Sequence, residues 1–247
     1  MLCHAGVAAL LLRLAYPRID AERRRRLMRW WSAKLLRILG IGTRVQGRVP
    51  AAAAQGAMIA ANHISWLDIF LISSACPTRF IAKGEIRDWP IAGWIADKAG
   101  TLFIRRGEWR DTARINERVR AALGERDCVG LFPEGITTQG DTLLKFHSAL
   151  FASAVANRAH VHPAAIRYET PEGELCRAVS FAGDRSFMES LALIIRQKDV
   201  VATVTFAEAV DTGAGTRRDA SLAARERIAI LLGLESPGTP PGRASGR

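Results

Sequence analysis

Short apolar runs alternate with stretches of helical spacing along most of this 247-residue chain. The runs at 58–61, 79–82, 102–105, 129–132, 161–166, 178–181 and 200–206 read as strands. The stretches at 66–74, 91–99, 112–123, 148–157, 187–194 and 221–232 read as helices. Such alternation predicts an α/β fold, a mixed central β-sheet flanked by helices, with an N-terminal amphipathic helical segment in front of it. No internal repeat interrupts the pattern. The length suits one large domain or one domain with an appendage. The expected organisation is a helical membrane-associating segment over 1–42, one α/β domain over 43–235 and a disordered tail rich in Pro, Gly, Ser and Arg over 236–247.

One strand-to-helix junction carries candidate chemistry. Asn62-His63-Ile64-Ser65-Trp66-Leu67-Asp68 follows the run 58–61, which reads as a buried strand. On a straight α-helix five residues turn about 500°, which would leave His63 and Asp68 about 140° apart. They meet only if His63 lies outside the helix. Ser65 is a good N-cap residue, and Asp68 stands three residues later at the capping-box position. A helix starting at Ser65 leaves His63 on the turn, with Asp68 in the first turn below it. An aspartate so placed can hold an imidazole in one tautomer and stabilise the imidazolium, making His63 a general base. The same seven residues equally allow Asp68 to be only a cap and His63 only a turn residue.

The formal net charge is +11 and the pI about 10.5, which points to an anionic partner: nucleic acid, an anionic membrane or an acidic small molecule. The four cysteines, Cys3, Cys76, Cys128 and Cys176, are scattered without a CxxC pair. That argues for a reduced, cytosol-facing protein and against a zinc site or a disulfide framework. The N-terminal apolar run stops at Arg13, too short to cross a bilayer, and lacks the basic start of a signal peptide. Residues 49–78 are poor in charge, but Asn62, His63, Ser65 and Asp68 interrupt them, so they read as strand, turn and helix.

Residues 18–39 have the pattern of an amphipathic helix. Leu27, Met28, Trp31, Leu35, Ile38 and Leu39 fall within about 120° of the helical wheel. Arg23, Arg25, Arg26, Arg29 and Arg37 lie mostly elsewhere, whereas Arg24 breaks the pattern. A basic face opposite an apolar face with tryptophans suits an anionic membrane surface, so Leu27, Met28, Trp30, Trp31, Leu35 and Ile38 are the expected membrane contacts. The plainer alternative is a helix packed on the core with a solvated arginine face.

Three further segments are weak alone. Gly100-Thr-Leu-Phe-Ile-Arg-Arg-Gly107 reads as a strand ending in Arg105 and Arg106, which can clamp a phosphate or carboxylate or can be ordinary surface residues. Gly130-Leu-Phe-Pro-Glu-Gly135 reads as a strand entering a turn; Glu134 can bind a hydroxyl or a basic group, and Gly135 allows close backbone approach. Val161-His-Pro-Ala-Ala-Ile166 is an apolar strand with Pro163 at an edge or bulge position.

Taken in order, Asn62-His63…Asp68, Gly100…Arg106, Phe132-Pro133-Glu134-Gly135 and Val161-x-Pro163 resemble the blocks of the glycerolipid acyltransferase family. Phe80-Ile-Ala-Lys83 and Trp89-Pro90-Ile-Ala-Gly93-Trp94 resemble the family's segment between the first two blocks. The resemblance covers about residues 45–210. It implies transfer of a fatty acyl group from acyl-CoA or acyl-carrier protein to a lysolipid hydroxyl. His63 would deprotonate the acceptor, Asp68 would orient His63, and the oxygen would attack the thioester directly. Arg106, with Lys83 and Arg105, would hold an anionic head group, and Glu134 and Gly135 would complete that pocket. No metal or cofactor is implied beyond the thioester co-substrate. An already activated thioester asks little more of the protein than proximity and a base worth about 10²–10⁴-fold.

The chain departs from the family at one point. The third block often continues Glu-Gly-Thr-Arg, with the arginine associated with the acceptor's phosphate, whereas this chain has Glu134-Gly135-Ile136-Thr137. Lyso-ornithine-lipid acyltransferases also lack that arginine and resemble the stretch from Gly140 to Phe151. The leading expectation is acylation of 1-acyl-sn-glycerol-3-phosphate to phosphatidate, with an aminolipid acceptor next, at the cytoplasmic face of the inner membrane. Rivals from other classes fare worse. No Gly-x-Ser-x-Gly elbow supports a serine hydrolase. The arginines cluster with tryptophans on a helix rather than in a nucleic-acid motif. A silent membrane-binding module would not need the His63 and Asp68 pair.

Overall fold

The computed structural model describes residues 20–50, 56–84, 100–104 and 109–234. In chain order the elements are α1 (Ala21–Ile38), β1 (Ile41–Gly47), β2 (Ala57–Ala61), α2 (Asp68–Ala75), β3 (Arg79–Lys83), β4 (Leu102–Ile104), α3 (Trp109–Gly124), β5 (Cys128–Leu131), α4 (Ala152–Ala156), β6 (Val161–Glu169), α5 (Phe187–Arg196), β7 (Val200–Phe206) and α6 (Arg217–Leu232). Short 3₁₀ turns cover Ser148–Phe151 and Arg177–Val179. The strands form one sheet in the order β1-β7-β6-β2-β5-β3-β4. Neighbours run parallel except β6 and β7. The fold is the expected α/β arrangement with a mixed sheet.

All five residues of β2 are buried, because helices cover both faces of the sheet. Alternation along the strand divides them. Ile59 and Ala61 join Leu36, Leu71, Ile72 and Ile194 in the layer built from α1, α2 and α5. Met58 and Ala60 join Ile115, Val119, Ala224 and Ile228 in the layer built from α3 and α6. Each isoleucine, leucine or methionine among them taken fully out of water contributes about 1.5–3 kcal/mol, which anchors β2 as the stable base of the turn that follows it.

The membrane expectation for α1 needs one correction. Ser32, Leu35, Leu36 and Leu39 lie on one helical stripe and are buried against the core. Leu35, expected among the membrane contacts, is only 8% exposed, because the helix gives that stripe to α2 and the sheet. Trp30 and Ile38 stay exposed, and Leu27, Met28 and Trp31 are half-buried. Among the described residues no helix is long and apolar enough to cross a membrane.

Two strand expectations also change. β1 was not expected; it is an edge strand whose residues after Ile41 are all exposed, so no apolar alternation marks it. Residues 178–181, expected as a strand, instead continue the turn Arg177–Val179 and bond to loops. Phe181 N–H donates to the Ile64 carbonyl at 2.8 Å, and Ser180 Oγ donates to the Thr138 carbonyl at 2.9 Å. The expected helix 91–99 and the tail from 236 lie outside the described residues.

Candidate active site

The carboxyl ends of β2, β5 and β6 meet at one edge of the sheet, the usual place for a site in an open α/β sheet. Asn62 prolongs the β2–β6 ladder with its side chain. Its amide Nδ2 donates to the Ile166 carbonyl at 3.0 Å, and its Oδ1 accepts from Ile166 N–H at 2.7 Å. The chain then leaves the sheet, and His63 follows on the turn.

His63 is fixed from four directions. Its Nδ1 lies 2.8 Å from Asp68 Oδ2. Its backbone N–H donates to Glu134 Oε1 at 2.8 Å, and its carbonyl accepts from Thr138 N–H at 2.8 Å. Its ring stacks on Phe132, centroids 3.9 Å apart and planes within 8°. Phe132 in turn stacks on Phe80 from β3. Phe80 has room because β5 carries Gly130, where a Cβ would come within 2.6 Å of the Phe80 ring.

Asp68 is fully buried and ties the turn together. Oδ2 also accepts the N–H of Ile64 at 2.7 Å and of Ser65 at 3.0 Å, and Oδ1 accepts the Tyr168 hydroxyl at 2.7 Å. A carboxylate oxygen surrounded by donors leaves the Nδ1 proton on the imidazole, so Nε2 carries the lone pair. The His63 side chain keeps 20% of its surface open. This arrangement can take a proton from a hydroxyl brought to Nε2. The helix-start expectation holds only in part. α2 begins at Asp68, and Ser65 Oγ is buried without a hydrogen-bond partner among the described residues, because Asp68 caps the preceding amides instead.

Glu134, expected in the head-group pocket, lies beside His63 with both carboxylate oxygens on backbone amides. Its Oε1 holds the His63 amide and its Oε2 accepts Leu144 N–H at 2.8 Å, with the residue 4% exposed. Burial pushes its carboxyl above the ordinary glutamate range, against the two amide hydrogen bonds that favour the charged form. Its expected place in substrate binding is therefore corrected to bracing the turn, since a buried acid beside two free backbone amides is taken by them first. Gly135 has φ +76, and a Cβ there would come within 3.4 Å of the His147 ring. Arg105 and Arg106 lie outside the described residues, as does the side chain of Lys83 at the end of β3.

Sequence reasoning missed Tyr168, Thr138 and the stacking role of Phe132. Tyr168 carried a usable signal: it sits two residues beyond Ile166 on the same face of an apolar run, and a buried tyrosine needs a partner for its hydroxyl.

Residues 42–167 match the family model described as Acyltransferase. A lyso-ornithine lipid O-acyltransferase from Pseudomonas aeruginosa is 38% identical over 235 residues, covering 94% of this chain and 89% of that protein. A 1-acyl-sn-glycerol-3-phosphate acyltransferase from Neisseria meningitidis is 40% identical over 172 residues, covering 70% of this chain and 67% of that protein. The crystal structure of the 1-acyl-sn-glycerophosphate acyltransferase from Thermotoga maritima shares the fold, with a TM-score of 0.66 at 19% identity over 92% of this chain and 87% of that one.

Proposed function

The chain belongs to the acyltransferase family, and from that premise we propose that it O-acylates a lyso-ornithine lipid, with acyl-CoA or an acyl-carrier protein as donor. His63 Nε2 takes the proton of the acceptor hydroxyl, and Asp68 steadies the imidazolium that results. The freed oxygen attacks the thioester carbonyl, the carbon–sulfur bond breaks as the tetrahedral adduct collapses, and His63 returns the proton to the departing thiolate. Lys83, Arg105 and Arg106 are assigned to an anionic part of the acceptor or donor, and Gly135 to a close backbone approach.

The observation that carries the choice of acceptor is Thr137. It stands where the resemblance implies a phosphate-associated arginine, and its Oγ donates to the Phe181 carbonyl at 2.7 Å rather than toward a ligand. Similarity to the Pseudomonas protein over nearly the whole chain supports the same reading. The second reading is 1-acyl-sn-glycerol-3-phosphate as acceptor, supported by the Neisseria relative. The exposed Trp30 and Ile38, beside the exposed Arg23, Arg26, Arg29 and Arg37 of α1, support peripheral attachment to an anionic membrane, assigned to the cytoplasmic face of the inner membrane.

The test is acyl transfer by purified protein in detergent with labelled acyl-CoA and acyl-carrier protein. Lyso-ornithine lipid and lysophosphatidate are the two acceptors, and His63→Ala is the control. Faster His63-dependent acylation of lyso-ornithine lipid is the expected result. Preference for lysophosphatidate overturns the acceptor assignment, and no His63-dependent product with either overturns the reading.

A further inference from the structure

Asp68 divides its two oxygens unequally. Oδ2 faces His63 and the amides of Ile64 and Ser65, whereas Oδ1 accepts the Tyr168 hydroxyl, 2.7 Å away. Tyr168 comes from β6, a hundred residues further along the chain, and both side chains are buried. We propose that Tyr168 is a positioning residue of the catalytic pair: its hydroxyl pins Asp68 Oδ1 and draws charge from the carboxylate, and so sets how tightly Asp68 holds the protonated form of His63.

Two arguments support the assignment. A buried carboxylate oxygen without a donor is costly, and Tyr168 supplies the donor that keeps Oδ2 turned toward His63. Burial and the adjacent Asp68 charge also push the Tyr168 phenol well above its ordinary range, so it stays a donor over the whole working pH range. The titratable groups set around Asp68 are His63 on the same turn, Tyr168 from β6 and Glu134 from the turn after β5, with His147 beside Gly135. Glu134 is held by backbone amides, which leaves Tyr168 as the side-chain hydroxyl acting directly on the carboxylate.

The inference rests on the acyltransferase reading for its meaning, but its test does not need turnover. Histidine labelled with ¹⁵N reports tautomer and titration directly, and His63→Ala assigns the His63 signal. In Tyr168→Phe the carboxylate keeps more charge, the imidazolium gains, and the His63 titration midpoint rises by about one pH unit. Fluorotyrosine serves as the reverse and isosteric probe. The chain has two tyrosines, so a Tyr16→Phe background places the label at Tyr168 alone. The stronger phenol donor then lowers the midpoint. If the enzyme turns over lysolipid, the acid limb of kcat/KM moves with the midpoint while both KM values stay. An unchanged His63 midpoint in both variants, even with a lower Tm, overturns the proposal and leaves Tyr168 a core residue. Failure of the acyl-transfer assay with a shifted midpoint overturns the function and keeps the pair.

Discussion

Two histidines flank the same central strand and differ in almost everything that matters. His162 lies inside β6, paired in register with Ile59 of β2. His63 lies two residues beyond the end of β2, where the chain has left the sheet. The His162 imidazole is pushed down to about 4 by burial, with His160 and Arg48 adding charge of the same sign. His63 has a buried carboxylate on Nδ1 and keeps 20% of its side-chain surface open. Burial without an acidic partner lowers a histidine's basicity. What distinguishes His63 is a buried acceptor on one side, a partly open ring, and a backbone held by hydrogen bonds to Glu134 and Thr138.

The sharpest way to break this contrast is to remove each ring in turn. His63→Ala is expected to lower turnover by about 10²–10⁴-fold with the fold intact, as for loss of a general base. His162→Gln is expected to keep turnover within about threefold, an effect small on the scale of tenfold per 1.36 kcal/mol. Steady-state kinetics and a thermal melt on both variants check this. Comparable losses of turnover in the two would end the distinction.

Much of this was legible in the sequence because the site is local. His63 and Asp68 are five residues apart, and their meeting follows from placing the turn correctly. The strands with two buried faces, β2 and β7, announced themselves as apolar runs. Long-range contacts were less visible. Tyr168 reaches Asp68 only because β6 lies beside β2, a pairing that no local pattern encodes. Glu134 looked like a ligand group because sequence does not reveal that the amides of His63 and Leu144 would claim it. The edge strand β1 and the segment 178–181 misled in opposite ways. One pairs through its backbone with exposed side chains, and the other buries apolar side chains without joining the sheet.

If immobility of the backbone matters, Glu134 sharpens the comparison next. In Glu134→Gln one carboxylate oxygen is replaced by an NH₂ that faces a backbone N–H, so a buried donor goes unpaired at a cost of about 1–3 kcal/mol. The expected kinetic result is a fall in kcat with the acceptor KM unchanged, because the group positions His63 rather than binding lipid. A rise confined to KM would restore Glu134 to the substrate pocket.

Gly130→Ala tests the stack behind the ring. Its Cβ would sit 2.6 Å from Phe80 and from Thr78, and Phe80 supports Phe132, which supports His63. Overpacking of this kind costs about 1–3 kcal/mol. Loss of stability with a parallel loss of kcat is expected from denaturant melts and kinetics. Full kcat in the folded fraction would show that the ring does not depend on the stack.

The smallest effect belongs to His162, and it concerns stability rather than rate. Its imidazole titrates at about 4 in the fold against 6.5 ordinarily, so between those values the unfolded chain binds the extra proton. Stability from this residue is present above pH 6.5 and is lost as the pH falls through about 4. The ring is only partly buried and water screens it, so the loss is on the order of 1 kcal/mol, about 2–4 °C in Tm for a chain of this size. His162→Gln removes the titration, and its Tm should therefore fall less than that of the parent between pH 7 and 4. Parallel curves would mean that β6 opens enough to let the imidazole protonate without unfolding, and the rigid strand would then be a poorer foil for the turn at His63.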